Sequence, residues 1–354
     1  MFMEILANSA FSFWSAKQRF EFKYRNMVIL TLVVSVLSPL VAAVSVINTP
    51  DKFGADVRII SSACIVIVFY GIIYIINYIK GKNFFSKKYW IYALKFNIPL
   101  VPHYLSTLIL SQSDRIMISK MIGMAEAGIY GLSHNLAMIL NILTTSINNA
   151  FAPWIYQRLK EEKYRDISSV CNKLFLFVAV ALAFMMAFSP EVISILAPSE
   201  YYDAVYVIPP LAISLYFMFM YQIFANVEFY FEKNKFIMLA SIFSAGFNVF
   251  LNYIFIKKLG YIAAGYTTLV CYVILGISHY IFSDKVAKKC IKDNIHLFDI
   301  KIVIGISCIL MVFGLIMLLL YKNLLLRYGL ILIMCMIFFI KRKDIYKFIV
   351  SIRR

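Results

Sequence analysis

MVILTLVVSVLSPLVAAVSVI, residues 27–47, runs for 21 residues without a charged side chain. As a helix rising about 1.5 Å per residue it is roughly 31 Å long, which matches the hydrocarbon core of a bilayer. A segment this apolar on every face has no side to turn toward water, so it belongs in lipid or deep inside a protein. The rest of the chain decides between the two by repeating the pattern. Further spans are expected near 59–79, 95–117, 127–152, 174–197, 204–229, 236–256, 261–282, 302–321 and 324–341, ten in all. Of the 354 residues 62% are hydrophobic and 15% charged, with a mean hydropathy of +0.81, more than a water-soluble core absorbs. The runs are continuous and rich in Leu, Ile, Phe and Met and lack the two-residue alternation of barrel strands. The expected fold class is therefore an all-α integral membrane protein.

The net charge of +17 invites a nucleic-acid partner, but the positions of the charges exclude it. With the N-terminus in the cytoplasm, 27 of the 35 Lys and Arg residues fall in inner segments. Eight fall outside, namely Lys52, Arg58, Arg115, Lys120, Lys257, Lys258, Lys322 and Arg327. This bias orients the chain with both termini cytoplasmic and makes the basic charge a topology signal. Basic residues dispersed over loops do not build a nucleic-acid surface.

Chemistry-bearing motifs are scarce. Cys64, Cys171, Cys271, Cys290, Cys308 and Cys335 lack C-x-x-C spacing, so neither a disulfide framework nor a zinc site is expected. His103, His134, His279 and His296 lie far apart, and no phosphate loop, nucleophile elbow or H-E-x-x-H pair occurs. No metal, no cofactor and no enzymatic reaction are expected. The opening MFMEILANSAFSFW reads as the end of a helix rather than a secretory signal, because Glu4 comes early and a small-residue cleavage site is lacking. The longest connections are expected at 80–94, 153–173 and 283–301. Within them WIYQRLKEEKYRDISSVCNK, residues 154–173, interleaves charges at helical spacing and predicts a surface helix.

What remains is polar residues aligned on apolar helices. His103, Thr107, Ser111 and Asp114 share one face of the third span, and His134, Asn141, Thr145 and Asn148 repeat this in the fourth. Gln222 and Asn226 pair in the sixth, near Glu228, and Ser241, Ser244, Asn248 and Asn252 form a stripe in the seventh. Ser, Thr and Asn join helices by hydrogen bonds of about 0.6 kcal/mol each; for Asn248 and Asn252 this structural role is the expectation. Ionised groups demand more, because a charge at the bilayer centre costs roughly 2.5–3.5 kcal/mol. In LSQSDRIMISKMIG, residues 110–123, Asp114 and Arg115 are neighbours that point in different directions and cannot neutralise one another. Either Arg115 snorkels to the outer boundary, or Pro99 and Pro102 break the helix so that both residues line an internal cavity.

SQSDRIMISKMIGMAEAGIYGLSHNLAMIL resembles the seventh and eighth helices of the Wzx-type polysaccharide flippases, in which an Asp-Arg pair, a Gly and a G-[IV]-Y turn recur in this order. FSPEVISILAPSEYYDAVYVIPPLA, with Pro190, Pro198 and Tyr201, looks like that family's ninth-to-tenth helix connection. FNVFLNYIFIKKLGYIAAGYTTLVCYV, with Asn248, Leu251, Asn252, Gly260, Ala264 and Gly265, looks like its eleventh and twelfth helices.

The resemblance implies about fourteen spans, as two six-helix lobes around a central cavity plus an extra pair. Aligning FWSAKQRFEFKYRNM with the charged segment before the fifth helix maps the ten spans onto helices five to fourteen, so the first four are expected to be missing. On that map residues 1–92 are the remnant of the N-terminal lobe, 93–283 the C-terminal lobe and 284–354 the extra pair with a basic tail. The implied function is translocation of an undecaprenyl-pyrophosphate-linked oligosaccharide across the bacterial inner membrane by alternating access. The implied partners are that lipid-linked oligosaccharide, the bilayer and polysaccharide-assembly membrane proteins. Arg115, with Lys120, is expected to attract the pyrophosphate, while Asp114 positions Arg115 or senses an ion. His103, His134, Asn141 and Glu228 are further cavity candidates. Two alternatives stand: a membrane-embedded polymerase or acyltransferase, and a drug or small-ion exporter of the same superfamily.

Overall fold

The computed structural model describes residues 2–50, 53–83, 85–291 and 296–352, with side chains at 338 and 343–352 excepted. Lys52, Lys292, Arg353 and Arg354, which enter the charge bias, lie outside the described residues. Among the described residues every regular element is a helix, as the hydropathy pattern predicts. Two compact units divide the chain, Met1–Leu94 and Lys95–Arg354.

In the first unit α1 (Phe2–Phe20), α2 (Arg25–Ile47) and α3 (Gly54–Gly81) form a small bundle in which α3 packs on both others. The opening segment, read as a helix end, is a helix of 19 residues. Its core is narrow: Ala7, Val34 and Tyr70, with Phe11 stacked on Tyr70 at 4.0 Å. Within the bundle, 11% of the apolar window of each of α2 and α3 is buried. Helix α4 (Lys87–Asn97) straddles the boundary between the units.

The second unit comprises α5 (Leu100–Met121), α6 (Met124–Lys160), α7 (Tyr164–Leu196), a 3-10 segment (Ser199–Val207) and α8 (Ile208–Tyr230). It continues with α9 (Asn234–Leu259), α10 (Ile262–Cys290), α11 (Ile300–Leu320) and α12 (Leu324–Ile352). Helix α8 is mostly apolar, and the apolar window of its span is 89% buried, against 33% for α9. Helices α6, α7, α10 and α11 surround it. Phe175 of α7 meets Tyr216, Phe219 and Phe224 of α8 edge-on at 6.3, 5.9 and 5.8 Å. The small pair Ala264–Gly265 lets α10 approach closely, since a Cβ at Gly265 would sit 3.1 Å from Cγ of Pro210.

Among the described residues eight helices are long and apolar enough to cross a membrane: α2, α3, α7, the 3-10 segment with α8, α9, α10, α11 and α12. The remaining two of the ten expected spans fall on α5 and α6. The two that fall short, α5 and α6, have 22 and 37 residues and so the length, but their polar side chains lower the hydropathy. The span expected over 95–117 is also interrupted. Helix α4 ends at Asn97 and α5 begins at Leu100, with Pro99 at the N-cap and Pro102 in the first turn, where a missing N–H leaves no ladder bond unmade.

The surface helix expected over 154–173 is absent. Residues 154–160 complete α6, and Tyr164 opens α7. Charges at helical spacing fit the protruding ends of two long helices as well as one separate helix, and the backbone at Glu162 decides between them. Its φ of 59° stops α6, with Lys163 N–H donating to Arg158 O and Glu162 N–H to Leu159 O. The same pair of bonds closes α1 around Phe22 and α8 around Glu232. A left-handed conformation costs a side-chain-bearing residue about 1–2 kcal/mol, a penalty glycine does not carry. Glu162→Gly is accordingly expected to raise stability by about 1 kcal/mol, read as a higher thermal midpoint in detergent; an unchanged or lower midpoint would count against the strain.

Candidate functional site

Helix α5 presents two polar faces. One is buried and runs through Leu100, His103, Ser106, Leu110, Asp114 and Ile118. The other, half exposed, runs through Thr107, Ser111 and Arg115. Adjacent residues in a helix are about 100° apart, so Asp114 and Arg115 fall on different faces.

Asp114 is 2% exposed and ties four helices together. Its Oδ2 accepts from Tyr130 Oη of α6 and from Thr268 Oγ1 of α10, the latter at 2.7 Å, and its Oδ1 accepts from Asn252 Nδ2 of α9 at 2.7 Å. Around this core Asn248 donates to Thr268 Oγ1 at 3.0 Å and accepts from Ser113 Oγ at 2.9 Å and Asn252 Nδ2 at 3.1 Å. Thr267 Oγ1 donates to Asn252 Oδ1. Hydrogen bonds to a charged group contribute about 1.5–3 kcal/mol each, which offsets the desolvation of the carboxylate. Asn248 and Asn252 thus do the helix-joining expected of them.

Arg115 does not take part. Its Nη2 donates to Gly131 O at 3.1 Å and to Asn135 Oδ1 at 2.6 Å, and lies 3.0 Å from His134 Nδ1, all on α6. Its buried Nε has no partner among the described residues. The expectation that Asp114 positions Arg115 is therefore replaced: α6 positions Arg115, because its exposed carbonyl and amide lie on the side to which residue 115 points.

The remaining candidates separate. His134 is half-buried beside Arg115, and Lys120 is exposed on the last turn of α5. Asn141 is half-buried and, among the described residues, bonds within α6 to Thr144, Thr145 and Met138 Sδ. His103 is buried, with Nδ1 at 2.6 Å from Ser241 Oγ of α9. Glu228 is fully buried and pairs with His279 Nδ1 of α10 at 2.8 Å. Asn226 donates to Asn148 Oδ1 at 2.8 Å, joining α8 to α6. The structure thus brings Arg115 and His134 together, keeps Asp114 behind them, and gathers His103 and Glu228 toward the opposite end of α5.

Sequence reading missed Tyr130, Thr267, Thr268 and His279 as partners. Tyr130 lies in the G-I-Y turn quoted above, but nothing in that motif says that its hydroxyl reaches the aspartate sixteen residues earlier. It also placed Arg327 among outer-loop charges. The structure buries Arg327 to 2% exposure in the first turn of α12, bonded to both carboxylate oxygens of Glu191 of α7, with Tyr328 Oη on the same carboxylate. The forked geometry of a guanidinium on a carboxylate makes the burial tolerable.

Residues 1–157 match the family model for a polysaccharide biosynthesis protein, and residues 99–254 match the MatE model. A Lsg locus protein of Haemophilus influenzae is 28% identical over 177 residues, covering 47% of this chain and 44% of that protein. An uncharacterized membrane protein of Methanocaldococcus jannaschii is 25% identical over 279 residues, 75% of this chain and 54% of the other. An uncharacterized membrane protein of Haemophilus influenzae is 23% identical over 171 residues, 47% of this chain and 42% of the other. The chain thus spans about half the length of these curated relatives. No solved structure matches it.

Proposed function

Because the chain belongs to the multidrug/oligosaccharidyl-lipid/polysaccharide exporter superfamily of membrane flippases, we propose that it serves to move an undecaprenyl-pyrophosphate-linked oligosaccharide from the inner to the outer leaflet of a bacterial inner membrane. The observation that carries this reading is Arg115. Its guanidinium is fixed by three groups of α6 on a half-exposed polar face, an arrangement suited to the oxygens of a pyrophosphate. Lys120 adds charge one and a half turns further along α5, and half-buried His134 and Asn141 with exposed Thr145 continue the polar stripe on α6 for sugar hydroxyls. Asp114 senses the coupling ion: among the described residues three neutral donors and no cation bond to its carboxylate, so gaining or losing a cation there alters the contacts among α5, α6, α9 and α10. No covalent bond changes in this cycle. Polysaccharide-assembly membrane proteins are the expected partners, since they supply the lipid-linked sugar and consume it.

Radiolabelled lipid-linked sugar offered to vesicles holding the protein tests the reading; transfer no faster than in protein-free vesicles defeats it. The match of residues 99–254 to the MatE model supports a second reading, an exporter of small solutes, for which the same vesicles move a free solute and leave the lipid-linked sugar in place. For the orientation, reporters fused after Lys82 and after Ser199 are expected on opposite sides of the membrane, the first cytoplasmic; the same side for both contradicts it.

A further inference from the structure

Toward the N-terminal end of α5, away from Asp114, lies a second buried polar cluster that the substrate path does not use. Glu228 and His279 are both 0% exposed and joined through Oε1 and Nδ1. The outer atoms of the pair, Glu228 Oε2 and His279 Nε2, are buried and have no partner among the described residues. His103 of α5 lies within electrostatic reach of His279 and is held by Ser241 of α9. The ring of Tyr221 of α8 lies 5.4 Å from that of His279, with Phe236 of α9 edge-on at 5.8 Å. Tyr221 stacks in turn on Tyr272 of α10 at 6.4 Å, and Tyr104 of α5 also lies within electrostatic reach of it.

A buried acid and base retained only for packing would be replaced at no loss by two apolar side chains of similar volume. Here the pair persists in the packed interior with one hydrogen-bonding position open on each partner, which is the arrangement a site that accepts and releases a proton requires. With one proton, held between Oε1 and Nδ1, the pair is a carboxylate beside a neutral imidazole and carries one negative charge. A second proton, placed on Oε2 or Nε2, makes the pair neutral, and its loss restores the negative charge. The environment is apolar, so that unit of charge is felt strongly by the helices that carry it. Helix α10 bears both His279 and Thr268, the latter bonded to Asp114, eleven residues or roughly 16 Å apart along the axis.

We propose that Glu228 and His279 form a proton-binding site of the transport cycle, separate from Asp114 and from the substrate path, with α10 connecting the two. Its place in a cycle rests on the flippase reading; the site itself is testable without any cargo. The purified full chain in lipid nanodiscs is titrated by infrared difference spectroscopy across roughly pH 5 to 8, where a histidine-linked site responds. A protonated-carboxyl band that varies with pH is expected in the wild type. It should be lost in Glu228→Gln, and its midpoint should move by at least one pH unit in His279→Gln and in Glu228→Asp. The same titrating bands in Glu228→Gln as in the wild type overturn the proposal, as does an unmoved midpoint in both other variants, which decide the matter if Glu228→Gln fails to fold. A wild-type Glu228 band together with absent lipid-linked sugar transfer would sink the flippase reading and leave the proton site standing.

Discussion

Asp114→Ala is expected to destabilise the protein by about 3 kcal/mol and to abolish transport. Removing the carboxylate orphans the hydroxyls of Tyr130 and Thr268 and the amide of Asn252, each a buried donor whose loss of partner costs about 1–3 kcal/mol. Relief of carboxylate desolvation offsets part of that sum. Asp114→Asn keeps the volume but turns one acceptor into a donor facing other donors, so it should lie between alanine and wild type. Thermal or denaturant unfolding in detergent reads the first effect, and sugar transfer in vesicles the second. A variant as stable as the wild type would mean that the four-helix knot is not held by this residue.

The second large effect is at Arg115. Arg115→Gln should slow transfer of lipid-linked sugar by tenfold or more while the unfolding midpoint stays close to that of the wild type. One charge-assisted hydrogen bond to a phosphate oxygen is worth about 1.5–3 kcal/mol, which is roughly tenfold to a hundredfold in affinity. Stability is spared because the side chain lies at the half-exposed face and its α6 partners, Gly131 O and Asn135 Oδ1, can turn to water. Arg115→Lys should not restore the rate, since an ammonium cannot reach Gly131, Asn135 and a pyrophosphate oxygen in one plane. Equal transfer by wild type and Arg115→Gln removes the residue from the site.

The contrast between these two neighbours shows how far a one-dimensional reading reaches. That Asp114 and Arg115 could not neutralise one another followed from helical geometry alone. Which of them would be buried did not. The face of α5 that enters the interior depends on where α9 and α10 lie, and the stripe His103, Thr107, Ser111, Asp114 straddles the boundary between the buried and half-exposed sides. Thr107 and Ser111 bond back to carbonyls of their own helix, so polarity at the right spacing did not make them part of the network. Glu228 was legible as an expensive residue needing a partner. His279 could not be named as that partner, because 51 residues and a whole helix separate the two.

Membership of the membrane class, the helical nature of the spans and their approximate limits were determined by the sequence alone, because hydrocarbon thickness and the need to satisfy the backbone within each segment are constraints that local composition meets residue by residue. The tertiary structure decided which polar groups meet. It set Tyr130, Asn252 and Thr268 on Asp114, turned Arg115 to α6, closed Glu228 on His279 and drew Arg327 in against Glu191. Those pairings depend on how helices distant in sequence rotate and slide against one another, and a hydrogen bond reaching only about 3 Å is satisfied or lost by such shifts.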